Sequence, residues 1–280
     1  MFVIKSNGQR QVFHAGNIVR SLAQVGVDEP VAQTIAQEVQ GLGKKSITSE
    51  EIFRTAIGYL MQYNPTWAGK YNLRKAIMQL GPTGYPFEQY IAEVLHAYGY
   101  ETQTNQFLKG TCVRHEIDVV ARTPGHHFIV ECKYHNAPGA RSDLKVALYL
   151  WARFLDVKDK LEHDPSHPRE EHGVWLVTNT RCTSEAVDYA QCMGMRLTSW
   201  GYPKGQSLEQ MIHEKALYPI NLFPIGSARW MYSRFAEQGL YLLRDLIPLS
   251  AKDLSKAMNV PEQDILFLQD QAKKLCQPHP

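Results

Sequence analysis

The sequence predicts a multidomain α/β protein, with a central mixed sheet flanked by helices between an α-rich N-terminal part and an all-α C-terminal part. Three observations carry this expectation. The 280-residue length exceeds one ordinary domain. A breaker cluster, Gly81-Pro82-Thr83-Gly84, separates helix-dominated sequence from sequence that mixes helical and strand patterns. After that cluster the patterns run α-β-β-β-α-β-α-β, an order that implies a mixed sheet covered by helices. The expected domains are therefore 1–81, 82–202 and 203–280.

The N-terminal part opens with a hairpin, Val3-Ile4 returning at Val12-Phe13, with Asn7-Gly8 as its two-residue turn. Helical periodicity follows at about 15–25 (Ile18, Leu22, Val25) and 30–42 (Val31, Ile35, Val39, Leu42). A third helix starts at Thr48 with Glu51 completing a capping box, and a fourth follows Pro65. In the central part a helix spans about 86–98, strands about 100–108, 113–121 and 128–134, and an amphipathic helix about 140–162. A buried strand at 173–178, a helix at 183–193 and a short strand at 195–198 complete it. Residues 203–218 form a polar connector without a clear pattern, and short helices occupy 219–276, one of them carrying Leu240 and Leu243.

Composition excludes some classes. Hydrophobic residues make up 44% and charged residues 21%, ordinary values for a globular protein. No apolar run approaches the ~18 residues of a membrane span, and Met1–Arg10 shows no signal-peptide pattern. Five cysteines without a C-x-x-C pair indicate neither a disulfide framework nor a cysteine-rich zinc site, which fits a reducing cytoplasm. A net charge of +2 permits a nucleic-acid partner without demanding one.

Chemistry concentrates in His115-Glu-Ile-Asp118-Val-Val and Ile129-Val-Glu131-Cys-Lys133-Tyr-His135. A two-residue turn at Pro124-Gly125 pairs Thr123 with His126 and, further along, Asp118 with Glu131. Cross-strand partners lie about 5 Å apart at Cβ, so two carboxylates there repel unless a cation lies between them. Oxygen ligands suit Mg²⁺. Strand alternation puts Lys133 and His135 on the same face as Glu131. Such a group can hold a metal, activate water and stabilise charge on a phosphoryl oxygen. The plain alternative is a solvated hairpin of alternating charges. Cys132 alternates away from this face and reads as core packing, and His163, His167 and His172 read as a solvated loop.

Together with Gly84-Tyr-Pro-Phe87-Glu88, Trp175-Leu-Val-Thr178-Asn179 and Thr183-Ser-Glu-Ala186, these segments resemble the PD-(D/E)xK nuclease superfamily, and within it the Mrr-type restriction endonuclease domain, over about 84–198. The resemblance implies a restriction-endonuclease-like sheet. It implies that Asp118 and Glu131 bind Mg²⁺ or Mn²⁺, that Lys133 assists the water and that Glu88 joins the metal site. Ile117 stands where the family has proline. His135 is a candidate DNA or metal contact, or a polar residue at a strand end.

Val3-Ile-Lys5-Ser-Asn-Gly8, Phe13…Ile18, Ile47-Thr-Ser-Glu-Glu-Ile52 and Tyr71…Arg74 resemble the ATP-cone, a nucleotide-sensing module of ribonucleotide reductases and their regulators, over about 2–80. The resemblance gives Lys5 a phosphate contact and makes ATP or dATP an allosteric effector. Ser6 and Asn17 replace residues that are usually basic in that family, which weakens phosphate binding, and a purely structural or oligomerising role is the alternative. Residues 219–276, with Pro224-Ile225-Gly226, resemble a tandem helix-hairpin-helix module, implying phosphate-backbone contacts to DNA with Arg229 as a candidate; a dimerising helical bundle is the alternative. No G-x-x-x-x-G-K-[ST] loop appears, so nucleotide would act as effector rather than fuel. The expectation is a cytoplasmic metal-dependent deoxyribonuclease acting on double-stranded DNA, a homodimer where both strands are cut, regulated by ATP or dATP. Its rival is a catalytically silent, nucleotide-responsive DNA-binding regulator.

Overall fold

The computed structural model describes the chain except Ser6, Pro82, Pro138, 164–169, 224–227 and 277–280, and except the side chains of 228–231. It divides into two compact units, Met1–Lys75 and Ala76–Pro280. Among the described residues no helix is long and apolar enough to cross a membrane.

In the first unit β1 (Phe2–Ile4), β2 (Arg10–Val12) and β3 (Ser46–Thr48) form a sheet of order β2-β1-β3, β1 antiparallel to β2 and parallel to β3. Around it lie α1 (Ala15–Ala23), α2 (Glu29–Gly41), α3 (Ser49–Tyr63) and all but the last two residues of α4 (Pro65–Ile77). Leu22, Ile35, Val39, Ile47 and Leu60 are its buried core. The hairpin turn is one residue longer than Asn7-Gly8 alone requires. Ile4 pairs with Arg10 and the Lys5 N–H donates to the Gln9 carbonyl at 2.8 Å, leaving three residues in the loop. Gly8 takes the left-handed position, φ +80°, that closes such a three-residue turn. The predicted capping box is present: Thr48 Oγ1 accepts from the Glu51 N–H at 3.0 Å and Glu51 Oε2 accepts from the Thr48 N–H at 2.8 Å. β3, just before it, was not anticipated, because three residues are too few to display a period of two.

The second unit is built on a five-stranded sheet of order β10-β8-β6-β5-β4. After α5 (Tyr85–Ala97), β4 (Glu101–Lys109), β5 (Arg114–Thr123) and β6 (His126–Lys133) run antiparallel. The two-residue β7 (Arg141–Ser142) precedes α6 (Leu144–Glu162). Then come β8 (Glu171–Thr178), β9 (Arg181–Cys182), α7 (Ser184–Cys192) and β10 (Arg196–Thr198); β8 and β10 extend the sheet in parallel, and β9 pairs with β7. Ala147, Leu150 and Phe154 of α6 bury Ile129, Val174, Leu176 and Leu197 of the sheet. Gly173 faces Phe128 across the β6–β8 ladder, and a Cβ there would meet the ring at 2.7 Å.

The sequence suggested a separate C-terminal domain from residue 203; the structure joins it to the sheet unit. The patternless connector contains α8 (Leu208–Glu214), capped by Ser207 and Gln210. It is tied to α5: the Tyr98 hydroxyl donates to Glu214 at 2.9 Å, and the buried Tyr90 hydroxyl donates to the Leu217 carbonyl at 2.7 Å. The chain ends in α9 (Ala228–Glu237), a 3-10 turn at Leu243–Leu246, α10 (Ala251–Met258) and α11 (Glu262–Cys276). Leu240 and Leu243 are not on one helix, because α9 stops at Glu237 and Gly239 turns left-handed at φ +71°. Asn259, at φ +51°, caps α10 where a turn was expected. Removing the buried Tyr90 hydroxyl leaves the Leu217 carbonyl unsatisfied, so Tyr90→Phe is expected to cost about 1–3 kcal/mol in chemical denaturation. Unchanged stability would mean that α5 does not hold the connector through this bond.

Candidate active site

The Pro124-Gly125 turn sets the geometry. Thr123 pairs with His126 and Gly125 takes φ +84°, so the turn holds two residues as the sequence predicts. The register continues to Val119 opposite Val130. One step further the ladder gives way to a side-chain bond: Asp118 Oδ2 accepts the Cys132 N–H at 2.7 Å. Asp118 and Glu131 are thus brought together where β5 and β6 leave the regular ladder, both half-buried.

Glu88 approaches from the first turn of α5 and feels the charges of Glu116 and Glu131. Burial, followed by those two charges, pushes its carboxyl up. Asp118 is pushed up to about 7, first by burial and then by Glu131, with Glu88 adding and the Cys132 amide and Arg153 opposing. Arg153 of α6 donates from Nη1 to Glu131 Oε2 at 2.6 Å and to the Glu116 carbonyl at 3.2 Å. Lys133 ends β6 beside Thr178 and has no ion-pair partner among the described residues. Four carboxylates, Glu88, Glu116, Asp118 and Glu131, therefore lie within reach of one another's charge, and the cation acting on Asp118 and Glu131 is Arg153. Such a cluster is electrostatically short of positive charge and, by its oxygen donors, suits a hard divalent cation.

Arg153 and Glu116 were not foreseen as members of this cluster. A signal for Arg153 existed: it lies three residues after Leu150 and four before Val157, inside the apolar stripe of α6. A charge on such a stripe needs a partner.

His135 lies beyond β6, so strand alternation does not place it. Asn179 does, accepting the His135 N–H at 2.9 Å and donating to its carbonyl at 2.7 Å. The His135 ring contacts Ser142 Oγ at 3.0 Å, and burial, then the Lys133 charge, lowers its proton affinity. Cys132 is buried, and burial pushes its thiol well up, in keeping with packing. In the first unit Lys5 lines a cavity of about 170 Å³ with Gln11, His14, Asn17 and Tyr71. The Arg229 side chain, His167 and the Pro224-Ile-Gly turn lie outside the described residues. His163 is exposed and bonded to its own helix at Asp159, whereas His172 is no part of a solvated loop: it sits in β8 against His127.

The chain joins a small α-rich domain of a known class to a mixed α/β sheet unit. Residues 1–78 match the ATP cone domain. An uncharacterized protein of Archaeoglobus fulgidus is 38% identical over 164 residues, which cover 59% of this chain and 87% of that protein. The chain belongs to the family of that archaeal protein. Among solved structures it is similar to AF1548, a protein of unknown function, at 33% identity and TM-score 0.57, over 69% of this chain and 98% of that one.

The raised Asp118 carboxyl has a thermodynamic consequence. Between its ordinary value near 3.8 and about 7 the unfolded chain ionises Asp118 while the folded chain keeps it protonated, so stability falls as pH rises through that window. Asp118→Asn, in chelator, is expected to melt at higher temperature than wild type at pH 8. The difference should shrink as pH falls from 7 toward 4 in a melting series; a pH-independent difference would contradict the burial of this charge.

Proposed function

We propose that this protein is a metal-dependent deoxyribonuclease whose cutting of double-stranded DNA responds to ATP or dATP. The observation that carries the reading is the convergence of Asp118, Glu131 and Glu88 at the end of the β5–β6 ladder, with Lys133 two residues beyond Glu131 on β6. An excess of carboxylates repels a phosphodiester, so the cluster can receive one only with a cation in place. Asp118, Glu131 and Glu88 are the residues that would hold Mg²⁺ or Mn²⁺. Such an ion supplies polarisation of the phosphoryl oxygen and a more acidic water. Lys133 then orients that water or balances charge developing on the phosphorus oxygens. Arg153 fixes the rotamer of Glu131 and keeps part of the acidic charge compensated before substrate arrives. Asp118, kept protonated by burial and by Glu131 in the metal-free site, must lose that proton to serve as a ligand, so metal uptake is expected to tighten as pH rises.

The ATP cone domain supports nucleotide as the regulating ligand. Lys5 is the proposed phosphate contact, and the cavity it lines is the proposed seat. The C-terminal helices, with Arg229, are the proposed backbone grip on DNA, and two chains would be needed to cut both strands. One observation favours a second reading, a DNA-binding regulator without hydrolysis: the 2.6 Å Arg153–Glu131 ion pair already occupies one ligand.

Supercoiled plasmid separates the two readings. Wild type with Mn²⁺ or Mg²⁺ is expected to nick it, and Asp118→Ala or Lys133→Ala to lose roughly 100-fold or more of that rate. Retention of DNA at low salt without nicking, on methylated and unmethylated plasmid, would select the regulator. Independently, ATP should raise the melting temperature of wild type saturably and leave Lys5→Ala unmoved; an equal shift in both would remove Lys5 from the nucleotide site.

A further inference from the structure

We infer that His127, Glu170 and His172 form a binding site for a first-row transition dication of the zinc class, separate from the Asp118 cluster. The sheet itself brings the two histidines together. β6 and β8 run parallel, and His127 pairs with His172. Residues paired across a ladder project from the same face, so both imidazoles must share one space. Their planes stand 84° apart with centroids 5.1 Å apart, and their Nδ1 atoms are 2.9 Å from each other. The rings therefore aim nitrogen at nitrogen instead of stacking. Glu170, immediately before β8, brings a carboxylate oxygen so that the three ligand atoms lie within 4.8 Å of one another.

His127 is 1% exposed, so its ring sits in a dry setting where a shared centre of charge is strongly felt. With no ion the Nδ1 pair is joined through a single proton. A cation in its place takes both lone pairs, with Zn–N near 2.0–2.1 Å, and the two nitrogens need separate only to about 3.3 Å. Two imidazoles and one carboxylate match zinc-class ions and mismatch Mg²⁺ or Ca²⁺, which ask for oxygens. Around His172 the charges are Glu170 and Glu162 against Arg122, a balance that accepts a dication. The site lies four rungs from Glu131 along the same strands, about 13 Å at ~3.3 Å per residue. It can therefore clamp the opposite end of the β6–β8 pair, leaving a coordination position to water.

The test uses the full chain carrying Asp118→Ala and Glu131→Ala, so that the other cluster does not compete. Chelator-stripped protein is titrated with Co²⁺ and then with Zn²⁺. One equivalent of Co²⁺ should give visible d–d absorption, displaced by one equivalent of Zn²⁺, with a rise in melting temperature. His172→Gln and Glu170→Gln, added singly, should each weaken binding at least tenfold. No uptake, unchanged affinity in both variants, or a thiolate charge-transfer band placing the ion on a cysteine would overturn the site. Should His172→Gln fail to fold, Glu170→Gln in the half-buried position decides alone.

Discussion

The central constraint in the sheet unit is a repulsion held in place by a turn. Pro124-Gly125 admits one register between β5 and β6, and that register delivers Asp118 to Glu131. Two carboxylates removed from water at close range disfavour each other's ionisation. The neighbouring groups answer that problem. The Cys132 N–H donates to Asp118, Arg153 reaches across from α6 to Glu131, and the proton remains on Asp118 to about pH 7. Glu88 sharpens the conflict instead of relieving it, since α5 brings a third acid to the same place. A fold that only needed stability would have no use for this grouping: replacing such a buried ionic cluster with well-packed apolar side chains is commonly neutral or stabilising. The arrangement makes sense as one prepared for positive charge.

Much of this was legible before any coordinates. The central elements follow from periodicity because each is long enough to show it: α5, α6, β5, β6 and β8 all span at least eight residues. The meeting of Asp118 and Glu131 was legible for a different reason, since Pro-Gly fixes loop length and loop length fixes register. What escaped was short or relational. β3, β7 and β9 have two or three residues and exist only through their partners. The hairpin after β1 holds three residues because Gly8 alone, and not the Asn7-Gly8 pair, supplies the left-handed step. α8 escaped because it is seven residues long, too short for its apolar positions to display a helical period. The His127–His172 contact escaped because it arises from a parallel pairing between strands separated by all of α6.

The first unit sets a second constraint. Its ATP cone assignment rests on the whole pattern of residues 1–78, whereas phosphate affinity rests on a few cations. The cavity edge carries Lys5 and His14 but offers Asn17 and Gln11 where further positive charge would strengthen a polyphosphate contact. Tyr71 lines the same cavity, its hydroxyl 3.3 Å from that of Ser21, and apolar side chains, among them Val3, Phe13, Ile18 and Ile52, make up most of the rest. As the proposed nucleotide seat, such a cavity would favour a nucleoside and its nearest phosphates over the charge-dominated grip that a phosphate-transfer site requires, as an effector site would.

The Arg153–Glu131 pair then acquires a meaning beyond packing. Both side chains are mostly shielded from water, so the bond is strong enough to set the position of Glu131 yet is made to a single carboxylate oxygen. The guanidinium also holds the Glu116 carbonyl, which anchors it to β5 while it faces β6. Both bonds leave the same nitrogen, Nη1, so that one end of the guanidinium bridges the Glu116 carbonyl and the Glu131 carboxylate. Glu131 is thereby aimed, with Oε2 engaged by the guanidinium. The same guanidinium opposes a cation electrostatically. Under the proposed metal-binding role, affinity would be a balance between an aimed ligand and a resident positive charge, set by how α6 holds Arg153 against Glu131 of β6.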